Sequence, residues 1–394
     1  MAAHFPTRRC KPDLNLRIVE SVAAIPATQW DALAAATGAA NPFLRHAFLL
    51  ALEESGCATP ETGWQAQFLT LWEGDRLVGA MPLYAKTHSW GEFVFDWAWA
   101  DAYQRHGLRY YPKLVSSIPF SPIAGARLLG ESPEIRAELI RTALDLARET
   151  GASSLHCLFP TEDQAGELRA QGLLLRQGVQ FHWRNPGYAD FADYLAGLRR
   201  DKRKKIQQER RKVADAGITF RHLHGGEIGE EDWRHFMACY ARTHEQFNSP
   251  QALNLDFFRR LGANLPENQL LVIAYRDGKP IASAWNLHDE KTVYGRAWGT
   301  LEYHPGLHFE TCYYQAIEFC IARRIPLFEG GAQGEHKLAR GFLPVTTWSA
   351  HWLAHPRFFH AVEDFLAREA QGMARYVNEL NESNPFKRPS APRS

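Results

Sequence analysis

Phe328 to Phe342 reads FEGGAQGEHKLARGF. It combines four glycines, the triplet Glu335-His336-Lys337, and Arg340 just before the last glycine. Three chemistries suit that mixture: a phosphate cradle, a catalytic loop, or a polar turn. A Walker cradle needs Gly directly before its Lys, and here His336 stands in that place. What remains is a glycine-loosened catalytic or anion-binding loop centred on Lys337, or a turn that is merely polar.

Other residues could serve such a loop. Glu310, Tyr314 and Ile317 share one helix face by their i, i+4, i+7 spacing, and His308 before them can cap or bind. The alternative is an exposed helix start with Glu310 facing the dipole. Tyr294, Arg296 and Trp298 alternate along VYGRAWG and so are expected on one sheet face. An arginine there needs a carboxylate or a substrate anion. Asp96, Trp97, Asp101, Tyr103 and Arg105 form a polar-aromatic patch in the first half, and Trp183 and Arg184 fall near the middle of the chain. His222 with His224 and His304 with His308 lack an evident third ligand, so no metal is expected. A GxSxG hydrolase elbow is absent.

LRRDKRKKIQQERRKVADAG (198–217) reads as a basic helix. Arg199 to Lys212 holds nine basic residues against Asp201 and Glu209. Leu198, Ile206 and Val213 make one narrow apolar stripe, and Gly217 is a C-cap. The helix is either a solvated linker or a groove wall that attracts an anion through Arg199, Lys202, Arg203 and Lys205.

The elements that must position these residues come in two sets that rhyme. LTLWEGDRLVGAMPLY (69–84) and VIAYRDGKPIASAWNL (272–287) are both hairpins turning at Gly-Asp or Asp-Gly. A third strand is expected after each, at 92–100 and 292–299. Two helices precede each hairpin, and helix, strand, short helix and strand follow. Each half therefore reads β-α-α-β-β-β-α-β-α-β, an α/β fold with mixed sheets. The boundaries expected are 15–187, 188–380 beginning with the basic helix, and a disordered tail over 381–394.

Composition agrees with a folded chain of this size. The 394 residues are 45% hydrophobic and 23% charged, enough for two cores. A net charge of +1 gives no global field toward nucleic acid or membrane, so any such preference must be local. Six scattered cysteines with no CxxC pair suit reduced thiols in the cytoplasm. The N-terminus has no signal-peptide core, and no apolar run is long enough to span a membrane.

FVFDWAWADAYQRHGLRYYPKL, QFHWRN, KRKKIQQERRKV, YGRAWG, LHFETCYYQAIE and GAQGEHKLARGFLPV together resemble the FemAB-like acyltransferases of the GNAT superfamily, over residues ~20–370. The chain is more distantly similar to the Fem transferases, which use aminoacyl-tRNA to extend peptidoglycan precursors. The resemblance implies two tandem GNAT-like domains and N-acyl transfer from acyl-CoA, or a related activated donor, to a primary amine held between them. It places Lys337 near the acyl-transfer centre, as oxyanion or phosphate partner. Glu335, His336 and Glu310 are then the catalytic companions. Tyr294, Arg296, Trp298, His308, Tyr314, Gln333, Arg340, Trp183, Arg184, Asp96 and Asp101 are the substrate-binding set. The coenzyme A loop of GNAT enzymes, Q-x-x-G-x-G/A, is not matched at Gln333-Gly334. An aminoacyl-tRNA-dependent Fem-type transferase, with tRNA as partner, is the alternative. A noncatalytic binding module is the second.

Overall fold

A computed structural model describes residues 14–38, 40–331 and 334–387. The chain divides into two compact units: residues 1–178 with 346–373, and residues 179–345 with 374–394. The expected single cut after residue 187 is thus replaced by crossings inside long elements. Strands Leu174–Arg184 and Leu343–Leu353 and helix Pro356–Glu382 each begin in one unit and end in the other. A chain read for breaks between elements offers no signal for a boundary inside one.

The first unit has a four-stranded antiparallel sheet, ordered Leu14–Val19, Phe68–Glu73, Arg76–Met81, Leu129–Gly130. The hairpin at 68–81 is the one expected. Helix Pro133–Glu149 packs Leu139, Ile140 and Ala143 against it, and Ser132 caps that helix by accepting from the Ile135 amide. A second sheet runs in the order Thr346–Leu353, Ser154–Leu158, Lys113–Ser116, Tyr84–Lys86, Trp64–Ala66.

The strand expected at 92–100 does not form; helix Trp97–Arg105 begins there instead. The reason is an ammonium. Lys113, fully buried, donates to Ser89 Oγ at 2.7 Å, to Glu92 Oε2 at 2.8 Å, and to Asp96 Oδ2. That contact spends all three N–H groups. It draws the polar residues of 89–96 inward and leaves Trp90, Phe93, Phe95 and Trp97 outside, each at least 40% exposed. The pattern is inverted relative to a strand on a core.

The second unit has a mixed sheet ordered Ile218–His224, Gln269–Arg276, Lys279–His288, Thr292–Thr300, Leu327–Glu329, Val179–Arg184. The hairpin between Arg276 and Lys279 turns through Asp277 and Gly278, both at positive φ, as its Asp-Gly pair predicts. Helix Leu307–Arg323 covers one sheet face with Tyr314, Ala316, Ile317 and Cys320, packing on Phe328, Trp183 and Val293. Its residues Glu310–Tyr314 form a π turn, a local widening that is frequent at functional sites. The basic helix spans Arg200–Asp215. Ile206 and Val213 are buried along the expected stripe, with Leu198 buried just before it. Among the described residues no helix is long and apolar enough to cross a membrane.

Candidate active site

The strand Leu327–Glu329 runs parallel to Thr292–Tyr294 and antiparallel to His182–Arg184. Phe328, beside Val293 and Trp183, belongs to the core cluster. Alternation turns its neighbour Glu329 to the opposite face, level with Tyr294 and His182. Glu329 is 6% exposed, and its Oε2 has no hydrogen-bond partner. His182 Nε2 lies 4.0 Å from its Oε1. Burial raises this carboxyl to a pKa of about 8, although the Arg296 guanidinium pulls the other way. Burial likewise lowers Arg296 to about 10, against the pull of Glu329. His182 falls to about 4 through burial, with Arg184 and Lys337 adding to it; it is a neutral imidazole at physiological pH.

The chain leaves this strand through glycines and returns as the 3₁₀ turn Glu335–Arg340. Gly334 is required twice over. Its φ is +118°, and a Cβ there would sit 2.4 Å from the His336 ring. Gly330 is shut in as well, since a Cβ would stand 2.8 Å from Phe342. These glycines let the loop fold tightly on itself and on the core, which is a different use from cradling phosphate. Lys337, 3% exposed, reaches back so that its Nζ donates to the Gly331 carbonyl at 2.9 Å. Burial lowers it to about 8, with the Cys312 thiol opposing and Arg296 reinforcing. His336 Nε2 meets the Tyr313 hydroxyl at 3.1 Å. Glu335 is exposed and accepts from Tyr376 at 2.6 Å.

A clamp fixes the far end of the loop. Arg340 is 2% exposed, and its guanidinium lies over the Phe309 ring. It donates to Tyr314 Oη at 2.9 Å, to the His336 carbonyl at 2.7 Å and to Glu209 Oε1 at 2.7 Å. Tyr314 donates to the other oxygen of Glu209. The next residue of the basic helix, Arg210, grips Glu310 through Nε at 3.1 Å from both oxygens, and Glu318 through Nη1 at 2.8 Å. Gln315 donates to Glu310 at 2.7 Å. Burial raises the Glu310 carboxyl even so, with Arg210 opposing. Glu310 and Tyr314 do share a face, and its partner is the basic helix.

The predicted residues therefore separate. Lys337, Arg296, Tyr294 and the previously unsuspected Glu329 and His182 gather at the strand end. Glu310, Tyr314 and Arg340 are engaged by protein groups in the clamp. Trp298 parts from Tyr294. A register shift pairs Trp285 with Ala297 and Asn286 with Gly295, which leaves Arg296 in a bulge and breaks the expected alternation. Trp298 instead stacks near His308, ring centroids 4.7 Å apart. Burial lowers His308 to about 4, with His336, Arg340 and Lys337 adding to it. Trp183 is wholly buried core and lines no groove, while Arg184 is exposed. Asp96 and Asp101 belong to the first unit. Asp96 is buried against Lys113, and Asp101 makes an exposed pair with Arg105 at 2.8 Å. Gln333 lies outside the described residues. Lys202 pairs with Asp201 at 3.2 Å, while Arg199, Arg203 and Lys205 have no acid partner among the described residues. No group of three or more His, Cys, Asp or Glu side chains among the described residues is arranged to hold a metal.

A model of the FemAB-like family, described as peptidoglycan biosynthesis/recognition, matches residues 21–388. The chain belongs to the FemAB-like family. No curated protein sequence matches the chain. Among solved structures, the fold is similar to FemX, at 12% identity and TM-score 0.54, covering 86% of this chain and 98% of that one. It is similar to the C-terminal domain of a putative lysylphosphatidylglycerol synthetase from Agrobacterium fabrum, at 10% identity and TM-score 0.55, covering 88% and 97%. L-PGS from Bacillus licheniformis matches at 10% identity and TM-score 0.50, covering 81% and 96%.

Proposed function

We propose that the second unit transfers an acyl group from acyl-CoA, or a related activated donor, to a primary amine, with Glu329 as general base. The observation that supports this most is the buried Glu329 carboxyl with its unpartnered Oε2 beside Arg296. A carboxylate raised to about 8 is a strong base once ionised, and its Oε2 is held by no protein donor. The amine nitrogen bonds to the acyl carbonyl carbon, and its proton passes to Glu329 Oε2. The carbon–sulfur or carbon–oxygen bond to the donor breaks. Lys337 gives its proton to the departing thiolate or alkoxide, and solvent resets both groups. Arg296 and the Lys337 ammonium supply positive charge near the developing oxyanion.

The rate then follows a bell in pH, centred near 8. It rises as Glu329 ionises and falls as Lys337 loses its proton. Radiolabelled acetyl-CoA with a panel of primary amines tests this in single turnover. Glu329→Gln is expected to lower the rate ~10²–10⁴-fold and remove the acid limb; Lys337→Met is expected to remove the alkaline limb. An unchanged rate in Glu329→Gln would overturn the assignment.

A second donor, an aminoacyl-tRNA, is favoured by one observation. Arg199, Arg200, Arg203, Lys204, Lys205, Arg211 and Lys212 line the basic helix and its start without an acid partner among the described residues. Titration with tRNA over a salt series decides it. A steep loss of affinity with salt supports the polynucleotide donor, and absent binding removes it. Saturable amine binding with no turnover on either donor would instead support a binding module.

A further inference from the structure

The first unit holds a cavity of about 300 Å³ with its own polar groups. That volume is close to the lower end of small-molecule sites, roughly 300–1,000 Å³. Its apolar walls include Leu108, Tyr111 and Pro112, and Arg109, Arg148 and His355 also line it. Tyr103, another lining residue, is 2% exposed, and its hydroxyl has no hydrogen-bond partner. The buried Nδ1 of His355 has none either. Arg109 is exposed, with no acid partner among the described residues. Arg148 shares its charge with Asp145 at 2.9 Å on the rim. Arg109 and Arg148 are the two permanently charged residues of its lining.

The tyrosine wall is held from behind. Tyr111 Oη meets Ser89 Oγ at 2.9 Å, and Lys113 fixes that serine at 2.7 Å. Tyr103 packs edge-on against Tyr110 with centroids 5.2 Å apart, and Tyr110 donates to Asp96 at 2.6 Å. Buried ion pairs rarely repay their desolvation in stability. Here they position the wall of an open cavity, which is the preorganisation a binding site requires.

We propose that this cavity binds a small molecule carrying one anionic group, a phosphate or a carboxylate, on an apolar body. Arg109 grips the anion in the bidentate manner of a free guanidinium. Tyr111, Leu108 and Pro112 hold the apolar part.

Calorimetry on the full chain with phenyl phosphate, benzoate and inorganic phosphate tests this. Phenyl phosphate or benzoate is expected to bind saturably at one site, and the better of the two names the anion. Arg109→Ala, at an exposed position, is expected to weaken that binding at least ~10-fold. Lys337→Ala is expected to leave it intact, so the result stands apart from the reaction assigned to the second unit. Absence of saturable binding by all three probes, or wild-type affinity in Arg109→Ala, overturns the proposal. Inorganic phosphate binding as tightly as phenyl phosphate overturns the apolar half of it.

Discussion

Of the three lysines buried among the described residues, Lys113 at 0% and Lys337 at 3% exposure behave in opposite ways. Lys113 has three acceptors, two of them carboxylates. Burial pushes its pKa down, but Glu92 and Asp96 outweigh that and hold it above its ordinary value. Lys337 has one neutral carbonyl, and burial brings it down to about 8. The carboxylates divide within the Lys113 site itself. Lys113 holds Asp96 low against the upward push of burial, whereas burial raises Glu92, on the same ammonium, to about 7 and Glu329 to about 8. Desolvation is common to both lysines, and the two carboxylates bonded to Lys113 but not to Lys337 set them apart.

The sharpest way to break this comparison is to neutralise each lysine. Lys113→Met abandons Glu92 and Asp96 in the interior and is expected to cost ~3–5 kcal/mol in urea denaturation. Lys337→Met removes an ammonium without stranding a bonded carboxylate and is expected to cost under ~1 kcal/mol. Equal losses would mean that partner number is not what separates them.

A second difference lies in pH. The folded chain keeps a proton on Glu329 up to about pH 8, whereas an unperturbed Glu releases it near 4.5. Wild-type stability relative to Glu329→Gln is therefore full below pH 4.5 and is lost as pH rises through 8. Melting temperatures of both proteins from pH 5 to 8.5 check the sign; parallel curves would remove Glu329 from the account. A smaller effect than that of Lys113→Met belongs to the loop that carries Lys337. Gly334→Ala forces a side chain into φ +118° and onto His336, and is expected to cost ~1–2 kcal/mol with a larger proportional loss of turnover.

Much of the second unit was legible in advance, because its signals are local. The Asp277-Gly278 turn, the buried stripe of the basic helix and the shared face of Glu310 and Tyr314 all follow from periodicity and turn chemistry. The strand at 92–100 was not legible, because its aromatics suit a core and only the distant Lys113 reverses them. Trp298 was misplaced by a bulge, although a glycine within VYGRAWG is the usual mark of one. Glu329 was overlooked in the very segment that attracted notice. A lone acid closing an apolar strand before two glycines was its signal, at the strand end where open α/β sheets receive ligands. The role proposed for it depends on what it lacks, and a missing partner leaves no mark in a sequence.

Glu209 and Arg210 are adjacent in the chain, opposite in sign, and bound to different partners, Arg340 and Glu310. A mutation at either strands a buried charge, so in descent these four positions can drift only as two couples. Relatives of this chain are expected to change 209 together with 340, and 210 together with 310. A lineage that has lost one member of a couple without the other will have rebuilt the loop that the couple holds.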